Sequence, residues 1–258
     1  HGQIRRQRQM CIRDSFGVNL PLMFLADDRM VNIVADAGVK FVTTSAGDPS
    51  KYIQILKDAN ITVFHAVPSL KGALKAVDAG VDGLVVEGTE GGGFKASEEV
   101  GLHVLIQSIK KHTDIPIVAA GGIVDGRGMA AAFAAGAEGI QMGTRFVSSL
   151  ESPVHNNYKN KIIESSEEGT FILNKKGRPC IRALKSNLTE EIYEKGVMDM
   201  SALGGIKNLY FEGDMEAAPA LAGQSIGLID EVKPVKNIIE ETIAEFNAIC
   251  DAMPMAKL

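Results

Sequence analysis

The chain has no tryptophan, and aromatic residues of all kinds make up only 5% of its 258 residues. Its core must therefore be aliphatic, and the 45% hydrophobic content is enough Ala, Val, Ile and Leu for a sizeable one. Cysteine is scarce too. Cys11, Cys180 and Cys250 stand far apart with no CxxC pair, which proposes neither a zinc site nor a disulfide framework. Positive charge is not in excess. A net charge of −5 gives the surface no long-range pull on nucleic acid or an anionic membrane. No apolar run is long enough to span a bilayer and no signal peptide precedes the folded part, so a cytoplasmic protein with reduced thiols is expected.

Glycine, by contrast, is abundant, with 27 residues, many of them just after apolar runs. That placement suits strand ends that approach a ligand closely. The first fifteen residues read differently from the rest. Arg5 through Ser15 match an in-frame translation of a transposase adapter used in short-read sequencing libraries. The alternative is a basic arm that binds nucleic acid. On the adapter reading, residues 1–15 are foreign, and Cys11 and the nearby arginines carry no function.

From Phe16 onward one pattern recurs: a short apolar run ending in small residues, then an amphipathic stretch. The spacing predicts strands at 16–20, 40–46, 62–67, 83–87, 116–120 and 139–146. It predicts helices at 28–37, 50–59, 70–79, 97–112 and 126–135, with Gly38, Gly80 and Gly136 as helix stops. The runs are too continuously apolar for strands wetted on one face, so a parallel sheet covered by helices is expected. The repeat of a little over twenty residues suits a (β/α)8 TIM barrel, with an open doubly wound sheet as the alternative. Six strands are countable where a barrel needs eight. The expectation is an N-terminally truncated barrel over 16–150, an insert or lid over 151–222 with helices at 154–165 and 188–196, and a closing segment over 223–258 that carries a helix from 234 to 250.

Four motifs carry chemistry. Ala119-Ala120-Gly121-Gly122-Ile123, followed by Asp125-Gly126-Arg127-Gly128, ends one strand and opens a helix, a ready site for a phosphate. Gln141-Met142-Gly143-Thr144-Arg145-Phe146 ends the next strand. Gly143 permits close approach and Thr144 offers a hydroxyl donor. Arg145 is either aimed at the phosphate or a surface or ion-paired arginine. Two Gly-bearing ends on consecutive late strands form the phosphate mouth typical of a barrel, although Gly pairs also end strands for structural reasons alone. Glu87 through Lys95 contains Gly91-Gly92-Gly93 and reads as a flexible loop over the mouth, or as a plain glycine-rich connection. Phe16-Gly17-Val18-Asn19 ends a strand in an amide that both donates and accepts.

These residues, with Thr43-Thr44-Ser45-Ala46-Gly47 and Ala222-Gly223-Gln224-Ser225, resemble the nitronate monooxygenase (2-nitropropane dioxygenase) family. They are also similar to FMN-type enoyl-acyl-carrier-protein reductases. The resemblance covers essentially everything after Phe16. It implies an FMN-dependent barrel with Asn19, Glu87, Gly92, Gly121, Gly122, Gln141, Met142, Gly143 and Thr144 at the cofactor. Members often carry Gln where Glu87 stands, and the family's strand-one motif is absent.

One departure bears on mechanism. The family's acid–base His follows the Gly-Gly pair, and this chain has Phe94 there, which exchanges no proton. His65 near the end of its strand is one substitute, against a hydrogen-bonded core His. Lys95 is another, against a solvated loop lysine. His103, His112 and His155 are expected on the exterior. The activity implied is oxidation of an alkyl nitronate with O2 as second substrate. The alternative is an NAD(P)H-dependent enoyl-thioester reductase on the same scaffold, and a flavin-free phosphate-binding isomerase or lyase is a reading of a different class. Neither oligomeric state nor substrate follows from the sequence.

Overall fold

A computed structural model describes residues 16–253. The foreign-segment reading of residues 1–15 lies outside them. Among the described residues one compact unit runs to Val86 and includes Ser108–Val118; the other comprises Glu87–Gln107 and everything from Ala119 onward.

The first unit is the regular one. Strands β1 (Gly17–Pro21), β2 (Phe41–Ser45), β3 (Thr62–Val67) and β4 (Gly83–Glu87) are successive parallel neighbours. Helices α1 (Arg29–Asp36), α2 (Ile53–Asp58) and α3 (Leu70–Asp78) connect them. Ser69 caps α3, its Oγ accepting from the Gly72 amide at 3.1 Å. Gly38 and Gly80 follow their helices at φ +72° and +87°, as expected of C′ glycines. Val42, Val63, Leu84 and Leu56 are fully buried, the aliphatic core that an aromatic-poor composition requires. Gly17 and Gly83 open their strands for a packing reason. A Cβ on Gly17 would lie 2.7 Å from the Phe41 ring, and one on Gly83 2.4 Å from the Phe64 ring. The two rings meet at 5.2 Å. These glycines make room for phenylalanines, not for a ligand.

Strands β6 (Ile117–Ala120) and β7 (Gly139–Gln141) complete a six-stranded parallel sheet in the order β1-β2-β3-β4-β6-β7, a fold of TIM-barrel type. The last predicted strand is cut short. β7 stops at Gln141, and Thr144–Val147 turn into a short helix. Gly143 leads into that helix at φ −105°.

The second unit holds the elements that periodicity did not show. β5 (Gly93–Lys95) pairs antiparallel with β9 (Cys180–Leu184), which pairs with β8 (Thr170–Leu173). The last glycine of the run, Gly93, thus opens a strand, and Gly91 and Gly92 form the bend before it. Helices α4 (Leu102–Lys110), α5 (Gly126–Ala135), α6 (Thr144–Val147), α7 (Asn156–Ile163), α8 (Asn187–Lys195) and α9 (Val235–Ala252) follow in chain order, the last residues of α4 belonging to the first unit. Tyr158 of α7, Leu184 and Leu209 center one buried cluster, with Ala218, Ala220 and Ala222 from an extended segment.

Candidate functional site

Most of the residues named from the sequence lie around one cavity of about 250 Å³ in the second unit. Glu87, Gly92, Gly121, Gly122, Gln141, Gly143 and Thr144 line it. Met142 is half-buried beside them in sequence without lining it. Asn19 and His65 belong to the first unit.

The cavity walls are backbone-rich because side chains would not fit. Gly121 and Gly122 adopt φ +92° and +77°, a region costly to any residue with a Cβ. A Cβ on Gly121 would come within 2.8 Å of the Gly91 amide nitrogen. Gly92 is closed in by the Ala222 backbone, 2.6 Å from an added Cβ. Gly143 differs from all of these: it lines the cavity, and an added Cβ there meets nothing within 4 Å, so no protein atom bars a side chain.

Leu221, Gly223 and Ser225 form a further wall, and the sequence reading did not single them out as contact residues. Four hydrogen bonds pin this segment. The Tyr158 hydroxyl donates to the Leu221 carbonyl at 2.6 Å, and the Leu184 amide donates to Ala220 at 2.8 Å. The Gly223 amide donates to Thr144 Oγ1 at 3.0 Å, and the Gln224 amide to the Glu90 carbonyl at 2.8 Å. Thr144 thus uses its oxygen as an acceptor and keeps its hydroxyl hydrogen for another partner. The signal for this wall was the Ala222–Ser225 motif, which lies far from the β6 and β7 ends in sequence.

Glu87, at the end of β4, reaches the cavity and forms an ion pair with Lys95. The Lys95 side chain is 1% exposed and that of Glu87 27%. Lys95 does not line the cavity; it stands behind the carboxylate, which rules out the solvated loop lysine considered from the sequence. Burial pushes the Lys95 pKa down and the Glu87 charge draws it back up. Phe94, in the position of the family His, sits half-buried on β5 opposite Ile181.

In the first unit, His65 is 5% exposed, with Nδ1 2.7 Å from Thr44 Oγ1. Burial pushes its pKa down to about 4, against the opposing pull of the Asp48 charge and the Gly47 carbonyl. Asn19 is exposed at its Cα register with Thr43, and Ser45 Oγ donates to its Oδ1 at 3.3 Å. Arg145 turns away from the glycine-lined cavity. It lines a separate cleft, is 6% exposed, and donates to the Glu231 carbonyl at 2.9 Å. Its surroundings are the Asp230, Glu231 and Glu241 charges, so it is a buried arginine among carboxylates and not a surface residue.

Among the described residues no helix is long and apolar enough to cross a membrane. None of their His, Cys, Asp and Glu side chains group to hold a metal ion.

A family model described as nitronate monooxygenase matches residues 6–245. A probable nitronate monooxygenase of Staphylococcus aureus is 32% identical over 219 residues, 79% of this chain and 61% of that protein. A hydroxy-methyl-oxo-octahydroindene-carboxyl-CoA dehydrogenase of Rhodococcus jostii is 27% identical, covering 92% of this chain and 79% of its own length. Among solved structures, FabK from Thermotoga maritima superposes with a TM-score of 0.86 at 40% identity, over 92% of this chain and 77% of that one.

Proposed function

The chain belongs to the nitronate monooxygenase family, an oxidoreductase family of flavin enzymes, and on that premise we propose that it binds FMN in the glycine-lined cavity and oxidises alkyl nitronates with O2. The observation that carries the reading is Gly143. Its absent side chain faces open space at the end of β7, beside the positive-φ pair Gly121-Gly122 at the end of β6. Two side-chain-free strand ends on one cavity suit a phosphate, whose oxygens need backbone amides and tolerate no Cβ in the way. The residues present therefore fit the group.

On this reading the main chain at Gly121–Gly122 and Gly143–Thr144 holds the phosphate, and the Thr144 hydroxyl hydrogen is available to it. Glu87 offers a carboxylate to a ring N–H. Gln141 and the Leu221–Ser225 wall complete the enclosure. When bound, FMN supplies the redox chemistry, and the protein supplies position and electrostatics. Phe94 cannot take a proton, and Lys95 is sealed behind Glu87, so a preformed nitronate anion is the substrate form that asks least of these side chains. The 151–222 segment serves as part of the cavity's cover.

A second reading has an observation of its own. The Rhodococcus relative is named for a carboxyl-CoA substrate, and reduction of an enoyl thioester by NAD(P)H requires no protein base. Anaerobic mixing of the FMN-loaded protein with propyl nitronate, and separately with NADH and NADPH, decides between them. Bleaching of the flavin by the nitronate alone supports the first reading; bleaching by a nicotinamide alone replaces it with the second. A protein that takes up no FMN removes both.

A further inference from the structure

The Lys95–Glu87 pair has a structural cost that a plain connecting loop would not need. A Cβ on Gly91 would lie 2.6 Å from Glu87 Oε1 and 2.8 Å from Lys95 Nζ. The first glycine of the run is thus what lets the ion pair close. The other charges near Lys95 are already committed. Arg182 donates from Nε to the Thr89 carbonyl at 2.8 Å and from a terminal nitrogen to Thr170 Oγ1 at 2.9 Å. Glu90 accepts the Leu102 amide on both carboxylate oxygens at 3.0 Å. Lys95 is left with Glu87 as its partner, and only the Glu87 end of the pair reaches the cavity.

We infer that Lys95 is a positioning residue whose ammonium neutralises the Glu87 carboxylate on the cavity wall, so that the cavity accepts the negative charge brought by an anionic substrate or by reduction of a bound flavin. This rests on the flavin reading above. Without Lys95 the wall carries one uncompensated negative charge in a partly desolvated place, where it repels further negative charge. The pair as a whole is neutral. Removing both charges is therefore equivalent to keeping both, and removing Lys95 alone is not. A merely structural lysine would leave the cavity's charge preference unchanged.

The test is the midpoint potential of bound FMN in the wild type, Lys95→Met and Lys95→Met/Glu87→Gln. Lys95→Met is expected to make reduction less favourable, with the equilibrium constant falling at least about tenfold, since one unit charge at an effective dielectric of about 20 shifts an equilibrium tenfold from roughly 12 Å and more from closer. The double variant is expected to return to within about threefold of the wild type. Should Lys95→Met fail to fold, Lys95→Gln, which keeps a polar contact for the Glu87 carboxylate but carries no charge, takes its place with the same expectation. FMN bound with the same potential in all three proteins overturns the role of Lys95 and leaves the flavin reading standing. A wild type that binds no FMN overturns that reading and this inference with it.

Discussion

His65 in the first unit and Lys95 in the second are both buried near the end of a strand, and the two are handled in opposite ways. His65, on β3, is held neutral: desolvation lowers its pKa to about 4, and its ring nitrogen meets the uncharged Thr44 hydroxyl. Lys95, on β5, is buried as well, yet is held as half of an ion pair with Glu87. A neutral imidazole needs only hydrogen bonds to be buried, whereas an ammonium needs a counter-charge. The difference teaches where charge is managed in this molecule. At His65 it is excluded, and at Lys95 it is kept, paired, beside the cavity.

The largest effect expected is from breaking the second arrangement. Glu87→Gln leaves the Lys95 ammonium buried without a partner and should cost about 3–5 kcal/mol of unfolding free energy near neutral pH. The sign with pH follows from the direction of the shift. With its counter-charge gone, the folded-state pKa of Lys95 falls further below the unfolded value. Stability is then lost as pH falls and regained as pH rises toward the alkaline range. Urea denaturation of Glu87→Gln at pH 7 and pH 9 measures this, and an equal cost at both would mean that Lys95 finds another partner. Lys95→Met should cost less, because the stranded Glu87 is partly solvated.

The first arrangement is tested by acid. The folded pKa of His65 lies below its ordinary value of 6.5, so the unfolded chain takes up a proton first. Stability from the neutral ring is complete above about pH 6.5 and declines as pH falls toward 4, by on the order of 2–3 kcal/mol. His65→Gln keeps a polar group for Thr44 but does not titrate. Its stability curve should be flatter than the wild type between those pH values, and an identical slope would place the acid lability elsewhere.

The smallest effect on stability, and the sharpest on binding, should come from the two kinds of cavity glycine. Gly143→Val adds a side chain where no protein atom lies within 4 Å, so stability should change by under about 1 kcal/mol. Gly122→Val forces a branched residue to φ +77° and should cost about 1–3 kcal/mol whether or not a ligand is present. Both should lose flavin, but only the loss in Gly143→Val reports on the cavity without backbone strain. A stable Gly143→Val protein with full flavin content would place the phosphate elsewhere.

The regular unit was legible from the sequence because its strands are continuously apolar and two of its helices are followed by a left-handed glycine, Gly38 or Gly80. Thr62–Val67 and Gly83–Glu87 were delimited to the residue, as was the helix Gly126–Ala135. The small antiparallel sheet was not, because β5 is three residues long and its partner β9, itself paired with β8, lies far along the chain, Gly93 facing Arg182. No local period marks such a strand; only pairing creates it. The same limit applied to β7, where an apolar run continued past Gln141 but the backbone turned helical after Gly143. At the cavity, glycine patterns identified the β6 and β7 ends, while the Leu221–Ser225 wall depended on hydrogen bonds to Tyr158, Thr144 and Glu90 that sequence order conceals. Arg145 was ambiguous because its surroundings, Asp230 and Glu231, come from a distant segment.

The central claim is that the glycine-lined cavity of the second unit holds FMN, and calorimetric titration of FMN into the wild type and Gly143→Val tests it most directly. The account predicts one FMN per chain for the wild type and a loss of affinity of at least about tenfold for Gly143→Val, with thermal unfolding of the ligand-free proteins nearly the same. Equal affinity in the two proteins, or no binding to the wild type, would contradict it.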